Sequence, residues 1–270
     1  MQYQLSIQII NYHTKKYLKD TLKMVLDDLT ASNLLYCINI LENASGEDLS
    51  DLQEQYKDNQ LVKFYFSNKN LGFSGGHNYL QTKCEAEFIL LINPDIKFTQ
   101  QNTIKGLFDF INSQNDIGAV APKLLTKKLK PLPFDHSPKK GFDSVWDSFI
   151  WINSNKTAEV AVIDAAMILI RSTAFNAVQG FDDKFFMYLE AFDLCLRLRR
   201  AGWKVFYLPT LKVIHDSKLT KEKAVLTRES VNYFVEKHYK GTVSGALTRY
   251  FFKKAPVYKI CKILAPEFVS

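Results

Sequence analysis

The 270-residue sequence predicts an α/β fold: a mostly parallel, doubly wound sheet flanked by helices, with a helical extension at the C-terminus. Three observations predict it. From residue 5 to residue 95, short apolar runs alternate with helical periodicities, the order a parallel sheet requires. Each apolar run ends in polar residues, and ligands of such sheets gather outside the carboxyl ends of the strands. Near residue 240 the composition turns basic and aromatic, which separates a domain over residues 1–240 from a segment over residues 241–270.

The elements follow in order. LSIQIINY (5–12) is an apolar run bounded by a turn signal and reads as a buried strand. Leu18, Leu22, Val25, Leu26 and Leu29 then recur at helical spacing. LLYCINILEN reads as a second strand, LSDLQEQYKD as a short helix and LVKFYFSN as a third strand. NLGFSGGHNYLQTKC is a glycine-rich turn opening a helix, and EFILLINPD is a fourth strand. Stretch 123–160 has prolines and lysines set among aromatics and reads as a long loop over a site. VAVIDAAMILIRSTAF (160–175) returns to strand, 189–202 is helical and WKVFYLP is a further strand.

Composition narrows the class. Hydrophobic residues make up 47% of the chain, enough for one large core, and no run of about 18 apolar residues suggests a membrane span. MQYQLSIQIINY has no basic leader, so no signal peptide is expected and a cytoplasmic location is. Cys37, Cys84, Cys195 and Cys261 lack metal-like spacing and read as reduced thiols. The net charge of +7 suits an anionic partner, but the basic residues form no nucleic-acid motif, so no nucleic-acid partner is expected. From His238 to Pro266 there is no acid, while Lys240, Arg249, Lys253, Lys254, Lys259 and Lys262 sit among aromatics. That segment suits either an anionic membrane surface or a helix with one face packed on the domain.

Several motifs can carry chemistry. In Asn93-Pro94-Asp95 the acid follows a buried strand, where a carboxylate can hold a divalent cation with phosphates and water completing the shell; alone, the tripeptide is also an ordinary turn. NLGFSGGHN (70–78) can bring backbone amides to a phosphate, yet it is neither GxGxxG nor a P-loop. Glu42 in LENAS ends a strand and can accept a pyrimidine imide or simply be a solvated loop acid. Glu190 and Asp193, three apart, open a helix in FFMYLEAFDLCLRLRRAGW, and acids are favoured there by the helix dipole. His215 in VIH follows an apolar run and is a candidate metal ligand.

The order IIN-Y, LENAS, NLGFSGGHN, LLINPD, GFDDKFFMYLEAFDLCLRLRRAGWKVFYLP, VIH resembles the family 2 glycosyltransferases of GT-A fold, over about residues 5–240. It looks most like bacterial rhamnosyltransferases of O-antigen and capsule synthesis. The resemblance implies an inverting transfer from a dTDP- or UDP-linked sugar, with L-rhamnose as best guess and galactose or N-acetylglucosamine as alternatives. A glycan or lipid-linked glycan at the inner membrane face would accept the sugar. Asn11, Tyr12, Glu42 and Asn43 would hold the nucleobase, though the family usually has Asp where Glu42 stands. Asn70, Gly72, Phe73, Gly75 and Asn78 would border the nucleotide-sugar. Asn93 and Asp95 would match the D-x-D signature, and Asp95 with His215 would hold Mg2+ or Mn2+. Asp182, Phe186 and Tyr188 would shape the sugar and acceptor pocket.

At position 191 the family usually carries the Asp expected as general base, and this chain has Ala191 beside Glu190. Three accounts stay open: Glu190 has taken the role, the Ala is engineered, or the chain is a natural inactive homologue. With the usual base lost, Ala191→Asp is expected to raise turnover by about 10²–10⁴-fold. Two rival readings are a nucleotidyltransferase, for which NYHTKKYLKD offers only a modest basic loop, and a non-catalytic binding subunit.

Overall fold

Apolar runs and helical stripes become alternating layers. In the computed structural model, residues 3–132, 136–138, 154–215 and 221–254 are described. Strand β1 (Tyr3–Asn11) leads into helix α1 (Lys15–Leu29), then β2 (Tyr36–Glu42), α2 (Ser50–Tyr56), β3 (Val62–Phe66), α3 (Gly72–Gln81) and β4 (Ala86–Ile92). The periodic residues of α1 do what their spacing implies: Leu18, Leu22, Val25 and Leu29 are buried against the sheet. Each buried aliphatic side chain of this size contributes about 1.5–3 kcal/mol relative to exposure.

After β4 the chain forms β5 (Ile96–Phe98), α4 (Thr103–Asn112), β6 (Ile117–Leu125), β7 (His136–Pro138), β8 (Ala158–Ile163), β9 (Met167–Arg171) and α5 (Ser172–Ala177). Helix α6 (Glu190–Arg200), strand β10 (Lys204–His215), α7 (Lys221–Tyr239) and α8 (Val243–Lys254) complete it. The ten strands form one mixed sheet in the order β3-β2-β1-β4-β9-β6-β10-β8-β7, with β5 paired to β10. β3, β2, β1 and β4 are parallel, as the alternation predicts, and β6 and β10 are parallel to each other. Between these two groups lies β9, antiparallel to both β4 and β6.

Three expectations need correction. Residues 160–175 are not one strand: β8 ends at Ile163, the chain turns at Asp164–Ala166, and β9 hands over to α5. Stretch 123–160 is not all loop: it holds the end of β6, the short β7 and the start of β8, with loop at 126–132 and 154–157, while 133–135 and 139–153 lie outside the described residues. The strand begun by WKVFYLP runs on to His215, past a register shift between Leu208 and Lys212 where Pro209 cannot donate to the ladder.

The thiols also differ from expectation. Cys37 and Cys84 form a disulfide; Cys195 is free and buried, and Cys261 is outside the described residues. The parallel order β2-β1-β4 brings the start of β2 and the approach to β4 to the same end of the sheet, on either side of β1. A separation of 47 residues hides that proximity in the sequence.

Candidate active site

The parallel register collects polar side chains at one edge. Asn11 pairs with Glu42, and Glu42 with Phe66, so three strand ends lie in a row. Asn11 is fully buried and its amide donates to Glu42 (2.7 Å) and Glu47 (3.0 Å). Glu42 also accepts from the Ser45 amide, the Ser45 hydroxyl and the Gly46 amide, which folds the Asn43–Gly46 turn around its carboxylate. Asn43 accepts from the Leu71 amide and donates to Asn70 Oδ1 and the Gly72 carbonyl. Asn11, Glu42, Asn43 and Asn70 therefore brace one another as the frame of the crevice. Tyr12 stands beside them, 40% exposed and against the His13 ring.

At Gly72 the backbone has φ +69°, and an added Cβ would lie 2.5 Å from the Phe186 carbonyl oxygen, so only glycine fits without a shift. α3 is stitched to the stretch before α6 at this point. The Phe73 amide donates to Phe186 O (3.0 Å) and Ser74 Oγ to Phe185 O (2.8 Å). Asn78 exchanges both ends of its amide with the Phe181 backbone and also donates to Asp183. Phe73 and Asn78, expected to border the nucleotide-sugar, are both engaged with the stretch before α6. Phe73 packs edge-on against His77 and Phe181, and Asn78 is a loop brace. A Cβ added at Gly75 would meet Leu71 and Asp183 only at ordinary contact distance. His77 is buried with Nδ1 3.0 Å from Gln8 Oε1, and burial pushes it down to about 3, so it is a neutral core histidine.

Asp95 and His215 meet through strand pairing. The pairing of β5 with β10 sets His215 opposite Ile96, and His215 Nε2 lies 3.5 Å from Asp95 Oδ1. His215 Nδ1 is buried with no hydrogen-bond partner among the described residues. One carboxylate and one imidazole leave most coordination positions open, which suits a hard divalent cation that keeps phosphate and water ligands. No group of three or more His, Cys, Asp or Glu side chains that could hold a metal gathers among the described residues. Asn93 adds its backbone, with its amide donating to Ala166 O at 2.8 Å.

That bond leads to Asp164, which no sequence motif marks. The Ala166 amide donates to Asp164 Oδ1 (2.7 Å), so Asp164 sits at the turn beside Asn93-Pro94-Asp95. Its signal was available, since an acid at the end of a buried apolar run is also what marks Asp95. The charge of Asp164 acts on Tyr188 and Glu190. Glu190 is buried, and its Oε2 has no hydrogen-bond partner among the described residues. Burial, reinforced by the negative charge of Asp164, pushes the Glu190 carboxyl up to about 8. Burial, then the charges of Glu190 and Asp164, also raise the Tyr188 phenol.

The backbone entering α6 is strained. Tyr188 (φ 70°) and Leu189 (φ 61°) are consecutive left-handed non-glycine residues, each costing roughly 1–2 kcal/mol. Neighbours hold them there: Ser230 Oγ donates to Met187 O at 2.8 Å, and the Asp193 amide donates to Leu189 O at 2.9 Å. Strain of this kind clusters where a side chain must be aimed, and the side chain aimed here is Glu190. Phe186, 43% exposed, covers Gly72 from the same stretch.

Ala191 and Asp193, taken with Glu190 as the candidate catalytic positions, and Asp182, a candidate for the sugar pocket, are each tied into the surrounding structure. Ala191 is 6% exposed and belongs to an apolar cluster with Val162, Ala165 and Leu194, so it is part of the core. Asp193 is fully buried and bonded to Arg197, Lys237 and His238. Burial alone would raise its carboxyl. The His238 hydrogen bond, the Arg197 charge and the Lys237 hydrogen bond overcome that and hold it at about 2. Asp193 thus anchors α7, its carboxylate shared among Arg197, Lys237 and His238. Asp182, expected in the sugar pocket, accepts from Tyr233 Oη (2.8 Å) and Lys237 Nζ (2.7 Å) and anchors the same helix.

Comparison with known proteins fits this geometry. The family described as "Glycosyl transferase family 2" matches residues 6–166. The chain is 26% identical over 215 residues to the rhamnosyltransferase WbbL of Escherichia coli K12, covering 73% of this chain and 79% of that protein. It is 22% identical over 227 residues to the low-salt glycan biosynthesis hexosyltransferase Agl10 of Haloferax volcanii, covering 81% and 69%. Over 144 residues it is 26% identical to an N-acetylglucosaminyl-diphospho-decaprenol L-rhamnosyltransferase of Mycobacterium tuberculosis, covering 48% and 47%. Among solved structures, GalNAc-T7 with UDP, GalNAc and Mn2+ superposes with a TM-score of 0.68 at 15% identity, over 97% of this chain and 58% of that one. The Pyrobaculum calidifontis mannosyltransferase PcManGT with GDP-Man and Mn2+ gives 0.65 at 9% identity, over 99% and 80%. These likenesses establish the GT-A fold.

Proposed function

The chain belongs to glycosyl transferase family 2, and from that premise we propose that it moves L-rhamnose, with inversion, from a dTDP-linked donor to a glycan acceptor of cell-surface polysaccharide synthesis. The donor assignment is supported by two relatives named as rhamnosyltransferases. A lipid-linked glycan at the cytoplasmic face of the membrane is the acceptor this reading favours. The single observation that carries it is that the Asp164 turn is tied to Asn93, two residues before the Asp95–His215 pair, while the Asp164 charge acts on Glu190, whose Oε2 has no hydrogen-bond partner among the described residues.

Each residue then has a task. Asp95 and His215 would hold Mg2+ or Mn2+, which when bound offsets the charge of the leaving diphosphate. The nucleobase lies against Tyr12 over the frame of Asn11, Glu42 and Asn43. Glu190 takes the proton from the acceptor hydroxyl at Oε2. A carboxylate with a raised pKa is a stronger base than an ordinary glutamate and keeps the proton it takes. Asp164 strengthens that tendency, and Tyr188 and Phe186 flank the sugar. Ala191 leaves room in the core and carries no chemistry.

Calorimetric titration with dTDP-rhamnose, UDP-galactose and UDP-N-acetylglucosamine, each with and without Mn2+, tests the reading. Metal-dependent binding of dTDP-rhamnose supports it. Binding of a UDP-sugar alone would reassign the donor, and binding of none would refute the donor site. A second reading, a nucleotide-sugar-binding homologue without turnover, is favoured by Ala191 alone. It requires donor binding with no transfer to any acceptor.

A further inference from the structure

Helix α8 presents an unusual face. Val243, Leu247 and Tyr250 are 77%, 45% and 58% exposed, and they are three of the eight large hydrophobic residues exposed among the described residues. Their spacing of four and three places them in one stripe along the helix. The opposite side of α8 is fixed by packing. Thr248 is fully buried, and Gly245 lies so close to the Tyr239 carbonyl that an added Cβ would collide with it. The apolar stripe is therefore turned outward by the α7–α8 contact, and rotating it inward would break that contact.

The surroundings of the stripe are cationic. Lys240 and Arg249 flank it and share the single carboxylate of Glu236, which leaves one positive charge in excess. Lys253 and Lys254 follow in the same helix, and the sequence from His238 to Pro266 contains no acid. A second copy of this helix would bring cations against cations. A surface of fixed negative charge with an apolar interior answers both the stripe and its rim, and tyrosine favours such an interface because its ring is apolar and its hydroxyl polar.

We propose that the Val243–Leu247–Tyr250 face of α8 docks on an anionic lipid bilayer. Docking this way does not depend on the donor sugar, because it is read without turnover. Sedimentation of the full chain with phosphatidylcholine vesicles, alone or mixed with phosphatidylglycerol, tests it. The expected result is binding to the mixed vesicles roughly tenfold or more above neutral ones, since each basic residue near the surface adds several-fold. The binding should fall as salt screens the charges. The triple change Val243→Ser, Leu247→Ser, Tyr250→Ser removes the apolar stripe and should abolish it, and Val243→Ser with Leu247→Ser alone should weaken it while leaving the thermal melt unchanged. Lys253→Gln with Lys254→Gln should weaken it by about tenfold or more. Equal pelleting on both vesicle types, or binding untouched by the triple change, overturns the proposal. So does a dimer in light scattering that the triple change dissolves, because the stripe would then be covered by a second copy.

Discussion

His215 Nε2 lies 3.5 Å from Asp95 Oδ1, two residues 120 positions apart that meet because β5 turns back to pair with the end of β10. If this pair holds the divalent ion of the transferase, Asp95→Asn removes its charged ligand. Titration of the variant with the donor nucleotide should then give the same weak binding with Mn2+ as without it. His215→Ala should weaken the Mn2+ effect while retaining part of it, because the carboxylate remains. Full Mn2+ stimulation in the Asp95 variant would remove the pair from any metal role.

Glu190 supplies a second prediction. Exchange for Gln keeps the shape and removes the basic oxygen, so turnover should fall about 10²–10⁴-fold. Donor binding should be preserved, since the frame at Asn11, Glu42 and Asn43 is untouched. The pH profile gives an independent check. A base must be ionised to act, and this carboxyl is pushed up to about 8 by burial and then by Asp164. Activity of the unaltered chain should therefore rise with pH and level off above about 8, while Asp164→Asn should shift the rise to lower pH. A rise centred near the ordinary glutamate range in the unaltered chain would exclude Glu190.

Ala191 leads to a prediction opposite to that of its sequence neighbourhood. Motif order alone suggests that an Asp at this position would restore a lost base. The packing around it suggests otherwise, because Ala191 is enclosed with Val162, Ala165 and Leu194. A carboxylate placed there would lose its hydration without an evident partner, a change worth about 1–3 kcal/mol or more. Ala191→Asp should lower the melting temperature by several degrees and bring no gain in kcat. A gain of tenfold or more in a stably folded variant would return the base to position 191.

Legibility in the sequence followed the range of the interactions. β1 to β4 and α1 to α3 were readable because each has its own periodicity and its own polar end. The strand character of β9 was readable in its apolar run, but its place between β4 and β6 was not, because that is a long-range pairing with no local mark. β6 is buried along its whole length, so no alternation distinguishes it from other apolar runs. Asp95 and Glu42 could be located as strand-end acids, but the bonds around Glu42 come from Asn11 and the Ser45 turn. Asp164 carried the same strand-end signal, obscured because the apolar run around it looks continuous. The partners of Asp193 on α7 lie 44 and 45 residues away, beyond any motif.

Those partners supply the last prediction. Lys237 joins Asp193 (2.6 Å) to Asp182 (2.7 Å), so α7 is bound both to the first turn of α6 and to the stretch that precedes it. Asp193→Asn keeps the volume but removes the charge that Arg197, Lys237 and His238 share. Breaking a buried ion pair from one side costs about 3–5 kcal/mol; Arg197 and Lys237 keep some solvent, so a loss nearer 3 kcal/mol in denaturant unfolding is expected. The pH dependence has a definite sign. The folded carboxyl, held at about 2, lies below its ordinary value of 3.8, so its contribution is complete above the unfolded value and disappears as pH falls from about 4 through about 2. The Asn variant should lack that portion of the acid transition. Because α7 also holds Met187 through Ser230, loosening it should free the strained Tyr188–Leu189 backbone and lower kcat more than donor affinity. A variant with wild-type unfolding and wild-type kcat would show that α7 is bound by its apolar contacts with Phe185 and Leu196 alone.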